Sequence, residues 1–418
     1  MKQFAVLILL GLLTGQESPL VTGIEIAGND VTAEDIIRRE IYHELNVPLD
    51  SAIVQEDVNR LLNLGIFNDV MYRIYLQPDS TVRLTYIMVE AWRILPMISP
   101  LYSDDTGWSL LTGLGIKNFR GRNQFLNASI AWGGLDAYGF AFYDPWITGD
   151  HLSLQIEIRS NDYQHLYLPA RIREKYTSLI LGHYFGATKK MNVGLKLVNK
   201  TFYDGGRRGY EYWSPVFQYQ WDTRDLYSNP QKGHLVIFLF EGTYGLQAES
   251  VQFSRFYPSF SVYHRLTSSR KPLILTGNVT MDVITGDVPE YFQTYFGGSY
   301  TVRGWSRPHE AMYRNPQKAF RFGTQSWMST LELRKNILPK YTPAPGLEFS
   351  LDLGVFVDIG AIGPTLDLLA QQSPMMGVGV GLRIPFTAYE CLRFDYALGF
   401  YQGRYTDRTF HLAYGFKF

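Results

Sequence analysis

The sequence predicts a membrane β-barrel of about 16 antiparallel strands, preceded by one small α/β domain with the element order β-α-α-β-β. Three observations predict it. From about residue 94 onward, apolar residues alternate with polar residues or glycine over segment after segment, which is the period of a strand with one apolar face. Aromatic residues make up 15% of the chain and glycines number 38, yet the mean hydropathy is slightly negative. No apolar run reaches the roughly 20 residues that a membrane helix needs, whereas a barrel strand sets only alternate residues against lipid.

Composition narrows the function classes. The formal charge is zero, which gives no electrostatic footing for nucleic acid. The single cysteine, Cys391, cannot form an internal disulfide and belongs to no metal-ligand pattern. Set in an apolar strand, it reads as inert filling rather than a reactive thiol. No cofactor and no metal are expected.

At the N-terminus, Lys2 precedes the apolar run Phe4-Ala5-Val6-Leu7-Ile8-Leu9-Leu10-Gly11-Leu12-Leu13. This reads as an export signal over residues 1–18, too short to span a bilayer. No clean small-residue cleavage site follows, which leaves the cut anywhere between Gly15 and Leu20. A buried first strand is the competing reading.

Residues 21–91 form the small domain. Val21, Ile24 and Ile26 begin a strand that ends at the turn Gly28-Asn29-Asp30. Thr32, with Asp35 three residues on, reads as a capping-box-like start to a helix bearing Ile36, Ile37 and Ile41. Pro48-Leu49-Asp50 breaks it, and a second helix follows with Val54, Val58, Leu61 and Leu62 at helical spacing. Two strands, 67–76 and 82–89, close the unit around the turn Gln77-Pro78-Asp79-Ser80. About seventy residues suffice for a modest core.

Three stretches of this unit, Ile24-Glu25-Ile26-Ala27-Gly28-Asn29, Ile37-Arg38-Arg39-Glu40-Ile41 and Leu64-Gly65-Ile66-Phe67-Asn68-Asp69-Val70, resemble the POTRA domain, the polypeptide-transport-associated module of outer-membrane assembly factors. The resemblance implies that the second strand, with Phe67, Val70 and Tyr72, is an exposed edge that captures extended clients. Unpaired N–H and C=O groups accept an extended chain with little sequence preference. A blunted edge serving only as a spacer is the alternative.

The barrel follows over residues 94–418. Leu152, Leu154, Ile156 and Ile158 alternate with Ser153, Gln155, Glu157 and Arg159, and Met191, Val193, Leu195 and Leu197 with Asn192, Gly194, Lys196 and Val198. Leu347, Phe349, Leu351, Leu353, Val355 and Val357 oppose Glu348, Ser350, Asp352, Gly354 and Asp358. Val378, Val380, Leu382 and Ile384 oppose three glycines and Arg383, and Leu392, Phe394, Tyr396, Leu398 and Phe400 oppose Arg393, Asp395 and Gly399. An apolar face backed by a charged, Gly-rich one suits a wall between lipid and a wet lumen. A soluble sandwich alternates too, but sets its charges on the outer face.

Strand starts are expected near Ile94, Leu110, Asn123, Ala137, His151, Tyr176, Lys190 and Tyr210. The later ones fall near His234, Val251, Pro272, Gln325, Leu347, Met376, Cys391 and Thr409. The stretches 144–150 and 229–233 read as short periplasmic turns. Outer loops are expected at 161–174 and at 285–325, the second far longer than an ordinary connection and so functional or disordered. It holds Gly297-Gly298-Ser299-Tyr300-Thr301-Val302-Arg303-Gly304-Trp305. An arginine in a Gly-rich turn between aromatics reads as ordered.

With Val302-Arg303-Gly304-Trp305 and Phe356-Val357-Asp358-Ile359-Gly360 in view, the chain resembles the Omp85 superfamily, the BamA/TamA-like outer-membrane proteins that include the bacterial surface antigens. Supporting segments are Asn118-Phe119-Arg120-Gly121-Arg122, Asp144-Pro145-Trp146, Asp222-Thr223-Arg224-Asp225 and Gly381-Leu382-Arg383. Trp305 stands where the family motif has Phe or Tyr. The final strand, with Phe410, Leu412, Tyr414, Phe416 and Phe418, resembles a C-terminal β-signal, with Ala413 where the common signal has Gly. One POTRA unit, where central assembly factors carry several, points away from a housekeeping role.

The resemblance implies that the long loop folds into the lumen and that Arg303 meets wall carboxylates. Glu332 and Asp358 match by motif and strand phase. A guanidinium binds carboxylates bidentately, as Lys cannot, and Gly304 permits a sharp turn. Ordinary lumen charges are the plainer reading of these residues. A second element is the seam between the first strand, near 94–102, and the last, near 409–418. Pro96 and Pro100 either weaken its ladder or end a linker. A weak seam offers a templating edge to a client strand, the mechanism the resemblance implies.

No metalloprotease, hydrolase or phosphate-loop motif occurs. The glycines of Gly377-Val378-Gly379-Val380-Gly381 sit in an alternating strand and read as a smooth lumen wall, while His43, His165, His183 and His264 are scattered. The expectation is a non-enzymatic bacterial outer-membrane factor, its POTRA domain in the periplasm, that inserts or translocates polypeptides. Its partners would be unfolded outer-membrane or secreted polypeptides, outer-membrane lipid and accessory periplasmic proteins. A dedicated secretion transporter or passive channel of the same fold is the alternative. A barrel enzyme is a third, which the POTRA-like unit argues against.

Overall fold

The computed structural model of the chain describes residues 18–103, 106–149, 151–227, 229–246, 251–344, 347–385, 391–415 and 417. Residues 1–17, and with them the apolar run read as an export signal, lie outside the described residues, as do Phe416 and Phe418 of the expected β-signal.

The small domain contains β1 (Val21–Ala27), α1 (Glu34–Arg38), α2 (Ser51–Asn63), β2 (Phe67–Leu76) and β3 (Val82–Glu90). Its sheet has the order β1-β3-β2, with β1 parallel and β2 antiparallel to β3. Asp50 caps α2 by accepting from Ala52 N at 2.8 Å. The helix buries Val54, Asp57, Val58 and Leu61, one face at helical spacing, against Val21, Ile36, Ile37, Leu84 and Tyr86.

The first helix differs from expectation. It runs only five residues, its N-cap is Ala33, and Ile41 lies beyond its end. Thr32 does not cap it, because a stronger acceptor is at hand. Its backbone N–H and hydroxyl both donate to Glu90 Oε1, at 2.7 and 2.5 Å, and a charged acceptor outcompetes a local turn.

The barrel begins with β4 (Ile94–Ser103), β5 (Gly107–Phe119), β6 (Gln124–Gly133), β7 (Leu135–Asp144), β8 (Leu152–Gln164) and β9 (Arg171–Phe185). It continues with β10 (Lys189–Tyr203), β11 (Arg207–Asp222), β12 (Gly233–Gly245), β13 (Gln252–Arg265) and β14 (Leu273–Asp287). After the short pair β15 (Thr294–Tyr295) and β16 (Phe322–Gly323), it closes with β17 (Gln325–Ala344), β18 (Leu347–Gly363), β19 (Met375–Pro385), β20 (Cys391–Tyr401) and β21 (Arg404–Tyr414). Apart from β15 and β16, these form one 16-stranded antiparallel sheet in sequence order. Outward residues such as Val193, Leu195, Leu197, Leu353 and Val355 are exposed, the lipid-facing set of a membrane barrel.

Two boundaries move. The expected loop at 161–174 shrinks to the connection 165–170, because β8 and β9 run on past the apolar band. Their polar ends are strand all the same, cross-linked where Asp162 receives Arg171 Nε at 2.5 Å and Arg173 Nη2 at 2.9 Å. The last strand likewise starts at Arg404 rather than near Thr409. A ladder closes its own backbone bonds beyond the bilayer, so charge there does not mark a loop.

The small domain sits against one end of the barrel. Ala33 N donates to Gly121 O at 2.9 Å and Asn118 Nδ2 to Thr32 Oγ1 at 2.8 Å. Gly121 has φ +71°, and a Cβ there would drive into the Val31 carbonyl, so the turn and the domain touch backbone to backbone. Asn63 donates to Asp225 O at 3.1 Å and accepts from Tyr227 N at 3.0 Å. The Arg39 guanidinium stacks 4.3 Å over the Trp146 ring. The turns after β5, β7 and β11 therefore share this end, and the long connection after β14 enters from the other.

Candidate functional site

The connection 288–324 is a folded insert. Besides β15 and β16 it holds the helical turn α3 (Glu310–Tyr313) and two 3-10 turns, Glu290–Phe292 and Pro316–Arg321. Phe292 lies among inward rings, 5.2 Å from Phe253 and 5.6 Å from Tyr210. Tyr167, Tyr313 and Phe322 make a second aromatic cluster at the same end. Deeper in, Arg321 ties the loop to itself by donating to Phe296 O from Nε at 3.1 Å and to Ser306 O. Gly298 N donates to Trp305 O at 3.0 Å, which closes the turn that presents Arg303.

Arg303 is fully buried, at 0% exposure, as is Asp358. Asp358 accepts from Arg303 Nε at 2.7 Å, Nη2 at 2.9 Å and the Arg303 backbone N at 3.0 Å. Glu332 Oε2 accepts from Arg303 Nη1 at 3.0 Å and from Arg383 Nη2 at 2.8 Å. Arg383 reaches on to Asp395 at 2.5 Å, and the Phe356 ring lies 3.3 Å beneath the Arg303 guanidinium. One face of the guanidinium is thus covered and its edge nitrogens are bonded, the arrangement in which a buried arginine is tolerated.

Arg393 and Lys417 complete the cluster. Arg393 Nη2 donates to Ser299 O at 2.7 Å, while its Nε stands 3.4 Å from Asp395 off hydrogen-bonding line, so that contact is coulombic only. Lys417 Nζ donates to Asp358 Oδ2 at 2.7 Å.

Glycine shapes the approach. Gly304 has φ +87°, and a Cβ there would stand 2.7 Å from the Leu398 carbonyl atoms. A Cβ on Gly377 would meet the Arg303 carbonyl oxygen. Gly377 therefore clears space for the loop, whereas a Cβ on Gly379 or Gly381 would meet wall side chains, Phe356 and Asp395 respectively. Trp305 is buried among Phe296, Val302, Ile362 and Met375, and its Nε1 donates to Met376 O at 3.0 Å. The loop also reaches the last strand: Gly304 N donates to His411 Nε2 at 3.1 Å and Ser306 Oγ to Asp407 at 2.6 Å.

The family model of the Omp85 superfamily domain matches residues 118–418. The chain belongs to the Omp85 superfamily. Residues 19–91 match the POTRA model, described as a surface antigen variable number repeat. The outer membrane protein assembly factor BamA of Neisseria meningitidis serogroup B is 28% identical over 143 residues, which is 33% of this chain and 18% of that protein. The matched stretch thus spans less than a fifth of that relative's length.

Among solved structures, BamA of Haemophilus ducreyi lacking POTRA domains 1–3 superposes with a TM-score of 0.61 at 18% identity, over 95% of this chain and 84% of that one. CdiB of Acinetobacter baumannii gives 0.57 at 14% identity, over 95% and 74%. CdiB of Escherichia coli gives 0.57 at 12% identity, over 95% and 76%. At these identities the likeness is one of fold.

In this Omp85 barrel the first and last strands, β4 and β21, are the sheet's two edges, and no ladder joins them among the described residues. Pro96 and Pro100 pair with Leu114 and Leu110 inside β4, which places them in the barrel rather than in a linker. Four residues apart, their missing donors fall on one side of the strand. Phe410 is exposed on β21 and Leu412 half-buried, while Tyr414 ends the strand. In the POTRA unit β2 is an edge strand, but Phe67 and Val70 are buried in the core and Tyr72 packs against it. Their side chains are thus committed inward, and the edge presents backbone.

Sequence reasoning brought Arg303, Glu332 and Asp358 together and missed Asp395, Arg383, Arg393 and Lys417 as members of the same cluster. The signal for the first two was present, since both lie on the inward phase of their strands. Lys417 looked like the polar step of an aromatic alternation.

Proposed function

We propose that this chain is a non-enzymatic factor of the bacterial outer membrane that inserts or translocates polypeptides, with its POTRA unit in the periplasm. The observation that carries the reading is the seam: β4 and β21 face each other as sheet edges without a ladder between them among the described residues. An edge strand templates any extended partner through its backbone. The POTRA edge strand β2 gives a client a first docking place at the mouth that the POTRA unit covers. The partners are unfolded outer-membrane or secreted polypeptides, with lipid at the seam and accessory periplasmic proteins at the POTRA surface. The Arg303 contacts hold the loop against β17 and β18, and Gly304 and Ser306 bond it to the seam strand β21. The aromatic packing around Phe292 and Tyr167 seats the loop against the inner wall and the connection 165–170 at the far end.

The test is strand insertion. The purified chain is reconstituted in liposomes, and the folding of an unfolded model barrel protein is timed with and without it. Arg303→Ala and a deletion of residues 21–91 run alongside. The expected result is clear acceleration by the native chain and its loss in Arg303→Ala. No acceleration, together with ion conductance in planar bilayers, overturns the insertion reading in favour of a secretion transporter.

A further inference from the structure

We propose that Lys417 is a positioning residue, a detachable latch that ties its own place in the chain, just beyond seam strand β21, to the lumen wall. Its link to seam opening rests on the function proposed above; the latch itself does not. The ammonium occupies a built socket. Its three protons meet three acceptors on three separate elements: Thr301 O of the loop at 2.6 Å, Thr330 Oγ1 of β17 at 3.2 Å and Asp358 Oδ2 of β18 at 2.7 Å. The Lys417 side chain is only 3% exposed. An ammonium has three donors and no acceptor, so the socket satisfies it fully.

The chain enters the socket by leaving the sheet. The β20–β21 ladder ends at Leu392 and Tyr414, and Gly415 then takes φ +88° while its N–H donates to Cys391 O at 2.7 Å. Lys417 follows two residues later, on the lumen side, rather than extending β21 along the seam.

Asp358 does not need Lys417. Its Oδ1 already accepts from Arg303 Nη2 and Thr330 Oγ1, and its Oδ2 from Arg303 N and Nε, which fills the roughly four lone-pair sites of a carboxylate. Among the described residues the ion pairs of the cluster join four cations, Arg303, Arg383, Arg393 and Lys417, to three carboxylates, Glu332, Asp358 and Asp395. Removing one cation leaves it balanced. Lys417 is therefore the member whose departure costs the anchor least, and it is the one attached to the seam strand. Its withdrawal frees the end of β21 to extend along the seam while Arg303 keeps the loop in place.

Residue-resolved hydrogen exchange on the full chain, without any client, tests this in Lys417→Met and in the charge-retaining Lys417→Arg. The expected result for Lys417→Met is at least tenfold faster exchange at residues 412–415, and less than a twofold change at 297–305 and in β8 to β13. Lys417→Arg falls between Lys417→Met and the native chain, because it keeps the charge but not the three-acceptor fit. Unchanged exchange at 412–415 overturns the proposal. So does faster exchange spread evenly over loop and barrel, which marks a merely structural contact. Failure of Lys417→Met to fold overturns it equally, since a detachable latch is not required for the fold. A negative liposome insertion assay would leave these outcomes intact.

Discussion

Among the described residues three carboxylates lie at 0% exposure, Asp57 in the POTRA unit and Asp358 and Asp395 in the barrel wall, and Asp57 and Asp358 are satisfied in opposite ways. Among the described residues Asp57 accepts only from neutral donors: Tyr42 N at 2.7 Å, His43 N at 3.2 Å and the Tyr86 hydroxyl at 2.6 Å. It stitches the irregular stretch after α1 to α2 and β3. Asp358 accepts from a guanidinium and an ammonium and stitches a loop to a wall. Neutral donors fix a turn within a domain that has an apolar core around it. Opposite charges suit the polar stretch of lumen wall that the turn around Arg303 meets, away from the aromatic contacts of Phe292 and Phe322. They also let partners on different strands share one network, which is what a joint between loop, wall and seam requires.

The largest effect expected from breaking this contrast is at Arg303. Arg303→Ala leaves Asp358 and Glu332 buried with reduced compensation, and breaking a buried pair costs about 3–5 kcal/mol. Arg303→Lys keeps the charge but loses the fork that reaches both carboxylates at once, so it falls between. Thermal unfolding in detergent, with limited proteolysis of residues 288–324, measures both. Loop cleavage is expected to rise steeply in Arg303→Ala. A loop as protected as in the native chain would show that the aromatic contacts, not the charges, hold it.

At Asp57 the expected effect is smaller. Asp57→Asn keeps the shape but turns one acceptor into a donor facing N–H or O–H groups, a mismatch worth about 1–3 kcal/mol. Tyr86 shows the same coupling from the other side, since burial first and then Asp57 push its hydroxyl well above the usual tyrosine range. Hydrogen exchange should quicken at Tyr42, His43 and along α2, with the barrel strands unchanged. If the barrel loosened as well, the two regions would not be the independent units this contrast describes.

These two carboxylates were not equally legible in the sequence. The barrel was readable because alternation repeats strand after strand, and its register follows once the apolar face is assigned. Arg303 and Asp358 were readable through a motif. Asp57 was not, because an acidic residue between Gln55, Glu56 and Val58 looks like the solvent face of an amphipathic helix. Only the fold brings Tyr86 and the backbone of Tyr42 against it. Thr32 failed for the same reason, since its partner Glu90 is distant in sequence. The strand ends near Arg171 and Arg404 were misread because pairing, not polarity, decides where a barrel strand stops. Local pattern finds elements and faces; polar partners far apart along the chain need the fold.

The most local effect tests neutral satisfaction on a base. His165, in the connection 165–170, accepts at Nδ1 from Tyr167 N at 3.3 Å and Leu168 N at 3.1 Å. A proton on Nδ1 would face both donors and undo the turn. Burial first, and Lys200 second, hold the imidazole down at about 4 against an ordinary 6.5. Above 6.5 the closed and open forms of the connection are both neutral, so the closed form keeps its full stability. Between 6.5 and about 4 the open form takes up a proton that the closed form refuses, so stability falls with falling pH and is lost below that range. Exchange at Tyr167 and Leu168, corrected for its intrinsic pH dependence, should rise as pH drops through this window while β10 stays flat. Flat exchange at both amides would mean that the aromatic packing of Tyr167 on Phe322, with rings 5.0 Å apart, closes the connection without help from the histidine.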